Sequence, residues 1–198
     1  RAFFQGKHAL PAEECSPSCP ITRKASIGEA SRSFPLISDQ VISCPGVSMQ
    51  PPKLKAIWYS PFPVEHVNQR GQECCNGHLG IEILEAGPDY LKGRMPVDYR
   101  TKQPAGALHG GVSVVLAETL ASWAAAYVVD PSKHHCVGQE INANHIRAVK
   151  SGWVYGVARA LHIGGTSHVW DVRITDESNR LVCVSRVTMA VLATPNRY

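Results

Sequence analysis

Glu118 is the residue whose setting most strongly indicates chemistry. It is the only charged side chain in the run of nineteen residues from 111 to 129. Packing inside an apolar helix would strip water from the carboxylate, which should raise its pKa and cost stability. We expect a catalytic carboxylate here, or else a glutamate on the helix surface at a gap in the sheet. Ser122, one helical turn later, is expected to orient Glu118 or a water molecule.

A second candidate group stands just before this run. His109-Gly110-Gly111 follow a loop rich in proline and glycine and begin the predicted helix. Backbone N–H groups at the N-terminus of a helix favour negative charge, so they suit a carbonyl oxygen that gains negative charge in a reaction. The alternative is a glycine-rich helix start that serves only close packing.

The spacing of these two groups predicts where they can meet. His109 and Glu118 are nine residues apart, which is about 180° around a helix and roughly 13 Å along it. One chain cannot bring both groups to the same small substrate. If both act, they come from different subunits, and the site lies at a dimer interface.

Three further features are candidates for binding. His145 lies on a predicted strand and is either a core histidine or a site residue. Arg147 and the turn that contains Gly165 and Thr166 could bind phosphate groups, or could simply form a solvated sheet edge. His134-His135-Cys136 lack a second ligand pair at a suitable spacing, so no metal site is expected.

Composition limits the class of protein. The chain has 198 residues, a net charge of +4 and seven cysteines without a C-x-x-C pair. These values favour a protein of the reducing cytoplasm and make nucleic acid and membrane poor candidates for partners. Residues 1–53 hold seven of the fourteen prolines and lack hydrophobic periodicity, so we predict a loose tail there and one domain over 54–198. We expect residues 1–48 to be foreign to a native chain that starts at Met49.

The elements predicted for the domain belong to the α+β class. Because four strands in a row with short turns favour an antiparallel meander, we expect a curved antiparallel sheet wrapped around one central helix, buried on most sides. The predicted elements are a helix at Val64–Arg70, strands at Leu79–Leu84 and Tyr90–Met95, a loop at Asp98–Leu108, the helix at 111–129, and strands at Val137–Val149, Trp153–His162, His168–Thr175 and Leu181–Leu192.

Several ordered motifs give the chain a family resemblance. They are the segments at 95–104 (MPVDYRTKQP), 108–111 (LHGG), 116–118 (LAE) and 140–145 (EINANH). Together they resemble the bacterial hotdog-fold acyl-CoA thioesterases. The most similar branch covers the 1,4-dihydroxy-2-naphthoyl-CoA thioesterase of menaquinone synthesis and the proofreading thioesterase of enterobactin synthesis. The likeness runs from about Ile57 to Leu192.

The resemblance implies a role for each matching residue. Glu118 is the catalytic carboxylate, acting as nucleophile or as general base, and the Gly110 N–H polarises the thioester carbonyl. Gln103 and His109 help to hold that carbonyl and the thiolate end of the substrate. Ser122 positions the carboxylate or the hydrolytic water, and His145 lies near the acyl group.

The resemblance also implies an activity and an assembly. The activity is hydrolysis of an acyl-CoA thioester, with an aromatic acyl group favoured and no metal or other cofactor needed. The assembly is a tetramer of two dimers, with Glu118 and the His109 loop on opposing subunits. The alternatives are a non-catalytic acyl-CoA-binding module, a hotdog dehydratase and a thioesterase that acts on acyl carrier proteins.

Overall fold

The computed structural model describes residues 55–195, in which one long helix packs on a single antiparallel sheet. The predictions about residues 1–53 therefore lie outside the described residues. The elements in chain order are α1 (Val64–Gly71), α2 (Cys75–Leu79), β1 (Glu82–Ala86), β2 (Tyr90–Pro96), α3 (Gly110–Val128), β3 (His134–His145), β4 (Trp153–Ile163), β5 (Ser167–Asp176) and β6 (Leu181–Ala193).

The strand order corrects one predicted feature. The sheet runs β1-β2-β4-β5-β6-β3, with every neighbouring pair antiparallel. Strands β4, β5 and β6 form the predicted meander, but β3 lies at the far edge beside β6. The cause is the segment at 146–152, which carries the chain from the edge strand β3 past β6 and β5 to β4. Leu108 N–H donates to Val149 O (2.8 Å) and Val97 N–H donates to Gly152 O (2.8 Å), so this segment is held on the loop before α3 and on the end of β2.

The start of the sheet differs from the prediction as well. The strand predicted from Leu79 begins only at Glu82, and Cys75–Leu79 form the short helix α2. Gly80 ends α2 in the left-handed conformation (φ 71°), which glycine adopts without strain. The alternation of Leu79 and Ile81 fits a strand equally well, so the pattern alone could not separate the two structures.

Helix α3 buries one face rather than most of its surface. Leu116, Ala117, Leu120, Ala121 and Ala124 follow helical spacing and are fully buried against the sheet, whereas Glu118 on the other side is exposed. The predicted burial on most sides is therefore wrong for a single chain, because one sheet covers only one side of a helix. Within residues 55–195, α3 is also the helix long and apolar enough to cross a membrane, a test that core helices pass too.

Leu120 fixes the position of α3 over the sheet. Gly93 of β2 and Gly156 of β4 are direct partners across the two strands. A Cβ atom on Gly93 would lie 2.8 Å from Leu120 Cδ2, and one on Gly156 would lie 2.6 Å from Leu120 Cδ1. The paired glycines thus form a socket for the Leu120 side chain, which is fully buried.

Candidate active site

The first turn of α3 presents one free backbone donor. His109 Nδ1 accepts a hydrogen bond from Gly111 N–H (3.0 Å), and His109 N–H donates to Thr101 O (2.9 Å). Within residues 55–195, no acceptor occupies the N–H of Gly110. This donor lies at the positive end of a nineteen-residue helix, where it can stabilise negative charge on a carbonyl oxygen.

The loop before α3 holds Gln103 beside this donor. In the same loop, Arg100 forms an ion pair with Asp98 (2.7 Å). The Arg100 guanidinium keeps the pKa of the Asp98 carboxyl below its ordinary value. Gln103 Oε1 accepts a hydrogen bond from Ala105 N–H, so the side-chain oxygen is used within the loop. The Gln103 amide nitrogen is left as the donor that can reach a ligand.

Gln103 and Gly110 line a cavity of about 310 Å³ together with His145 and Arg147. His145 is exposed at the end of β3, so it is not a core histidine. Its ring lies directly over Gly110, because a Cβ atom added there would be 2.8 Å from His145 Nε2. The structure therefore brings four of the predicted site residues together, and His109 caps the helix next to them.

Glu118 lies between two other cavities. One, of about 270 Å³, also contains Ser122, and the other, of about 150 Å³, lies between α3 and β3. The carboxylate rests on the backbone of Gly138, where an added Cβ would be 2.8 Å from Glu118 Oε1. The predicted loss of hydration is not found within one chain, since Glu118 is exposed. Ser122 shares its cavity, but in the described part of the chain no hydrogen bond joins the two side chains.

The two groups are separate within one chain, as the helical spacing predicts. Gly110 and Glu118 are eight residues apart on α3, which is about 12 Å along the axis. Both face the edge strand β3, where Glu118 rests on Gly138 and Gly110 lies under His145. The donor and the carboxylate are thus two separate groups spaced along one strand.

The predicted phosphate-binding residues are not brought together in one chain. Thr166 O, in the turn after Gly165, accepts a hydrogen bond from Val191 N–H (2.9 Å), whereas Arg147 N–H donates to Val182 O (3.2 Å). Nine residues of extended chain separate those two contacts on β6, a distance of about 30 Å. A single chain therefore cannot bind one phosphate group with both.

Sequence reasoning missed Asn76, which enters the Glu118 cavity from α2. Thr119 Oγ1 donates to Asn76 Oδ1 (3.1 Å), and both residues line that cavity. The Thr119 hydroxyl therefore joins α3 to α2. No spacing rule could indicate this pair, because the residues are 43 positions apart and no helix was predicted at α2.

Comparison with known proteins shows the family. The thioesterase superfamily matches residues 105–183. The 1,4-dihydroxy-2-naphthoyl-CoA hydrolase of Escherichia coli is 46% identical over 136 residues, which are 69% of this chain and 99% of that protein. The proofreading thioesterase EntH of Cronobacter turicensis is 45% identical over 136 residues, 69% of this chain and 98% of the relative.

Solved structures agree with the sequence matches. A crystal structure of a mutant thioesterase from Pseudomonas aeruginosa matches with a TM-score of 0.69 and 44% sequence identity. The match covers 70% of this chain and 100% of the Pseudomonas chain. The chain therefore belongs to the thioesterase superfamily and has its hotdog fold. It is an enzyme that hydrolyses thioesters, which confirms the predicted class of activity.

Proposed function

We propose that this thioesterase hydrolyses an acyl-CoA to the free acid and CoA, with an aromatic acyl group preferred. The observation that carries the proposal is that two complementary half-sites of α3, the free Gly110 N–H and the Glu118 carboxylate, both lie against β3. The aromatic preference is supported by the name of the Escherichia coli relative, a 1,4-dihydroxy-2-naphthoyl-CoA hydrolase. By the same likeness, we place the enzyme in menaquinone synthesis.

The mechanism follows from the chemistry of these groups. The thioester carbonyl oxygen accepts hydrogen bonds from Gly110 N–H and the Gln103 amide, which stabilise the developing oxyanion. Glu118 either attacks the carbonyl carbon and expels CoA thiolate, leaving an anhydride that water hydrolyses, or deprotonates the attacking water. His109 lies at the thiolate end, and Ser122 positions the water or the carboxylate. The reaction needs no metal or further cofactor.

A homodimer completes the site. β3 has twelve residues and, within the described chain, pairs only with β6, so its other edge is open. Long open edges are templates for pairing with another chain. Antiparallel pairing of two β3 strands with Gly138 opposite His145 of the second copy would bring each Glu118 beside the Gly110 N–H of the other subunit. We further propose that two such dimers form a tetramer.

The cellular setting is part of the proposal. The four cysteines within residues 55–195 are Cys74, Cys75, Cys136 and Cys183, and all are unpaired. Unpaired cysteines are typical of a reducing compartment, so we place the enzyme in the cytoplasm.

Replacement of Glu118 tests the proposed reaction. Glu118→Gln keeps the size of the side chain but removes the negative charge, so CoA release from an aryl-CoA should fall by about a thousandfold or more. The assay follows free CoA with a thiol-reactive dye, using aryl-CoA, aliphatic acyl-CoA and the same acyl groups on a carrier protein. Glu65→Gln, on the exposed side of α1, is the matched control and should retain full turnover. Near wild-type turnover by Glu118→Gln would refute the proposal.

A further inference from the structure

We propose that Asn76 is a specificity-determining residue that donates a hydrogen bond to an oxygen atom carried by the acyl group of the substrate. This inference rests on the proposed function, because it assumes that the acyl group reaches Glu118. It adds a chemical requirement: the preferred acyl group bears a hydroxyl or carbonyl oxygen away from the thioester. An unsubstituted hydrocarbon acyl group should be a poorer substrate.

The first step of the argument concerns where the acyl group lies. Glu118 must reach the thioester carbonyl or its attacking water, so the acyl group occupies space next to this carboxylate. The cavity of about 270 Å³ beside Glu118 has apolar walls formed by Val115 and Trp123. Such walls suit the hydrocarbon part of an acyl group, and aromatic side chains pack well on flat rings.

The second step concerns the orientation of the Asn76 amide. Thr119 Oγ1 donates to Asn76 Oδ1 at 3.1 Å, which fixes the oxygen of the amide towards α3. The Asn76 nitrogen has no acceptor within residues 55–195, and the residue is half-buried in the wall of the cavity. The amide is therefore a donor held in place by a hydroxyl of α3 and left without a partner of its own.

The third step concerns what an acyl group does to this donor. A bound acyl group covers the cavity and removes water from its wall. A buried donor left without an acceptor costs free energy, and a site built to bond a substrate oxygen discriminates strongly against the analogue that lacks it. An oxygen on the acyl group satisfies the Asn76 N–H, whereas a hydrogen atom in its place does not.

The test compares substrates that differ by one hydroxyl group. Benzoyl-CoA and the three hydroxybenzoyl-CoA isomers are hydrolysed by the wild type, Asn76→Leu and Thr119→Val. In the wild type, at least one hydroxy isomer should exceed benzoyl-CoA in kcat/KM by about tenfold or more. Asn76→Leu should reduce this ratio to about one, because the donor that distinguishes the substrates is removed. Thr119→Val should lower the ratio too, because the amide is no longer oriented, and Thr119→Ser should restore it.

Controls separate this inference from the proposed function. Gln72→Leu removes an exposed amide outside the cavity and should leave the ratio unchanged. An equal loss on all four substrates in Asn76→Leu, or a wild-type ratio near one for every isomer, would overturn the role of Asn76 even if Glu118→Gln is inactive. Turnover by Glu118→Gln at the wild-type rate would instead refute the proposed function itself. Thermal unfolding of each variant shows whether the fold is intact.

Discussion

At the scale of single residues, the candidate site depends on side chains that rest on glycine. The Glu118 carboxylate lies on Gly138, and the His145 ring lies on Gly110, each so close that a Cβ atom would fall 2.8 Å from a polar side-chain atom. Neither glycine has a positive φ, so the backbone conformation does not demand glycine at either position. Glycine is needed at both positions because a larger side chain would occupy the space that the Glu118 carboxylate or the His145 imidazole fills.

Gly138→Ala should therefore act on catalysis more than on stability. The new methyl group can be accommodated by moving the end of the Glu118 side chain, which costs little folding free energy but displaces the carboxylate. A displacement of about 1 Å at a reacting group can lower turnover by about a hundredfold. We expect kcat to fall by about tenfold to a hundredfold, with KM and the melting temperature nearly unchanged.

The measurement combines steady-state kinetics, thermal unfolding and gel filtration. Val137→Ala is the matched control, since adjacent residues of a strand point to opposite faces and Val137 is on the face away from Glu118. An unchanged kcat in Gly138→Ala would show that Glu118 does not need this position.

At the scale of elements, one contact fixes α3 over the sheet. Leu120 fills the socket between Gly93 and Gly156, and α3 carries both half-sites, Gly110 at its start and Glu118 in its middle. The placement of the helix on β2 and β4 thus also sets the distance of both half-sites from β3.

Leu120→Ala should be strongly destabilising. The side chain is fully buried, and its removal leaves a cavity between two glycines that have no side chains to fill it. The expected loss in the free energy of unfolding is about 3 to 5 kcal/mol. Urea denaturation followed by circular dichroism measures it. Leu192→Ala, which removes a side chain that is 44% exposed, should cost much less. Equal losses for the two variants would contradict the socket.

At the scale of the whole molecule, the two groups of the proposed site lie apart within a single chain. About 12 Å of helix separates the Gly110 donor from the Glu118 carboxylate. A two-fold axis through paired β3 strands would place the acid of one subunit beside the donor of the other and would also cover the exposed side of α3. In the proposed dimer, each reaction would therefore depend on groups from both subunits.

A mixed dimer tests this arrangement. Glu118→Gln and Gln103→Ala subunits are each expected to be nearly inactive alone. If the site is shared, a mixed dimer contains one site with both defects and one intact site. Random reassortment of equal amounts should then recover about one quarter of wild-type activity, since half of the dimers are mixed. If each site lay within one chain, both sites of the mixed dimer would carry a defect, and no activity would return.

The sequence by itself determined the local structure and the parts of the site that are local. The apolar run around Glu118 predicts α3 to within one residue at either end, and the alternation of Trp170, Val172 and Ile174 marks β5, because helical and strand periods are properties of neighbouring residues. The order of residues 109–118 likewise predicts that donor and acid are apart in one chain.

Only the tertiary structure decided which distant segments meet. The place of β3 at the sheet edge, the exposure of Glu118 and the bond from Thr119 to Asn76 depend on contacts between residues far apart in the sequence. Such contacts are selected by the packing of the whole chain. There, the packing of Leu120 between two glycines or the course of residues 146–152 outweighs the secondary-structure preference of neighbouring residues. A periodic pattern shows which face of an element is apolar, but it cannot show which other element covers that face.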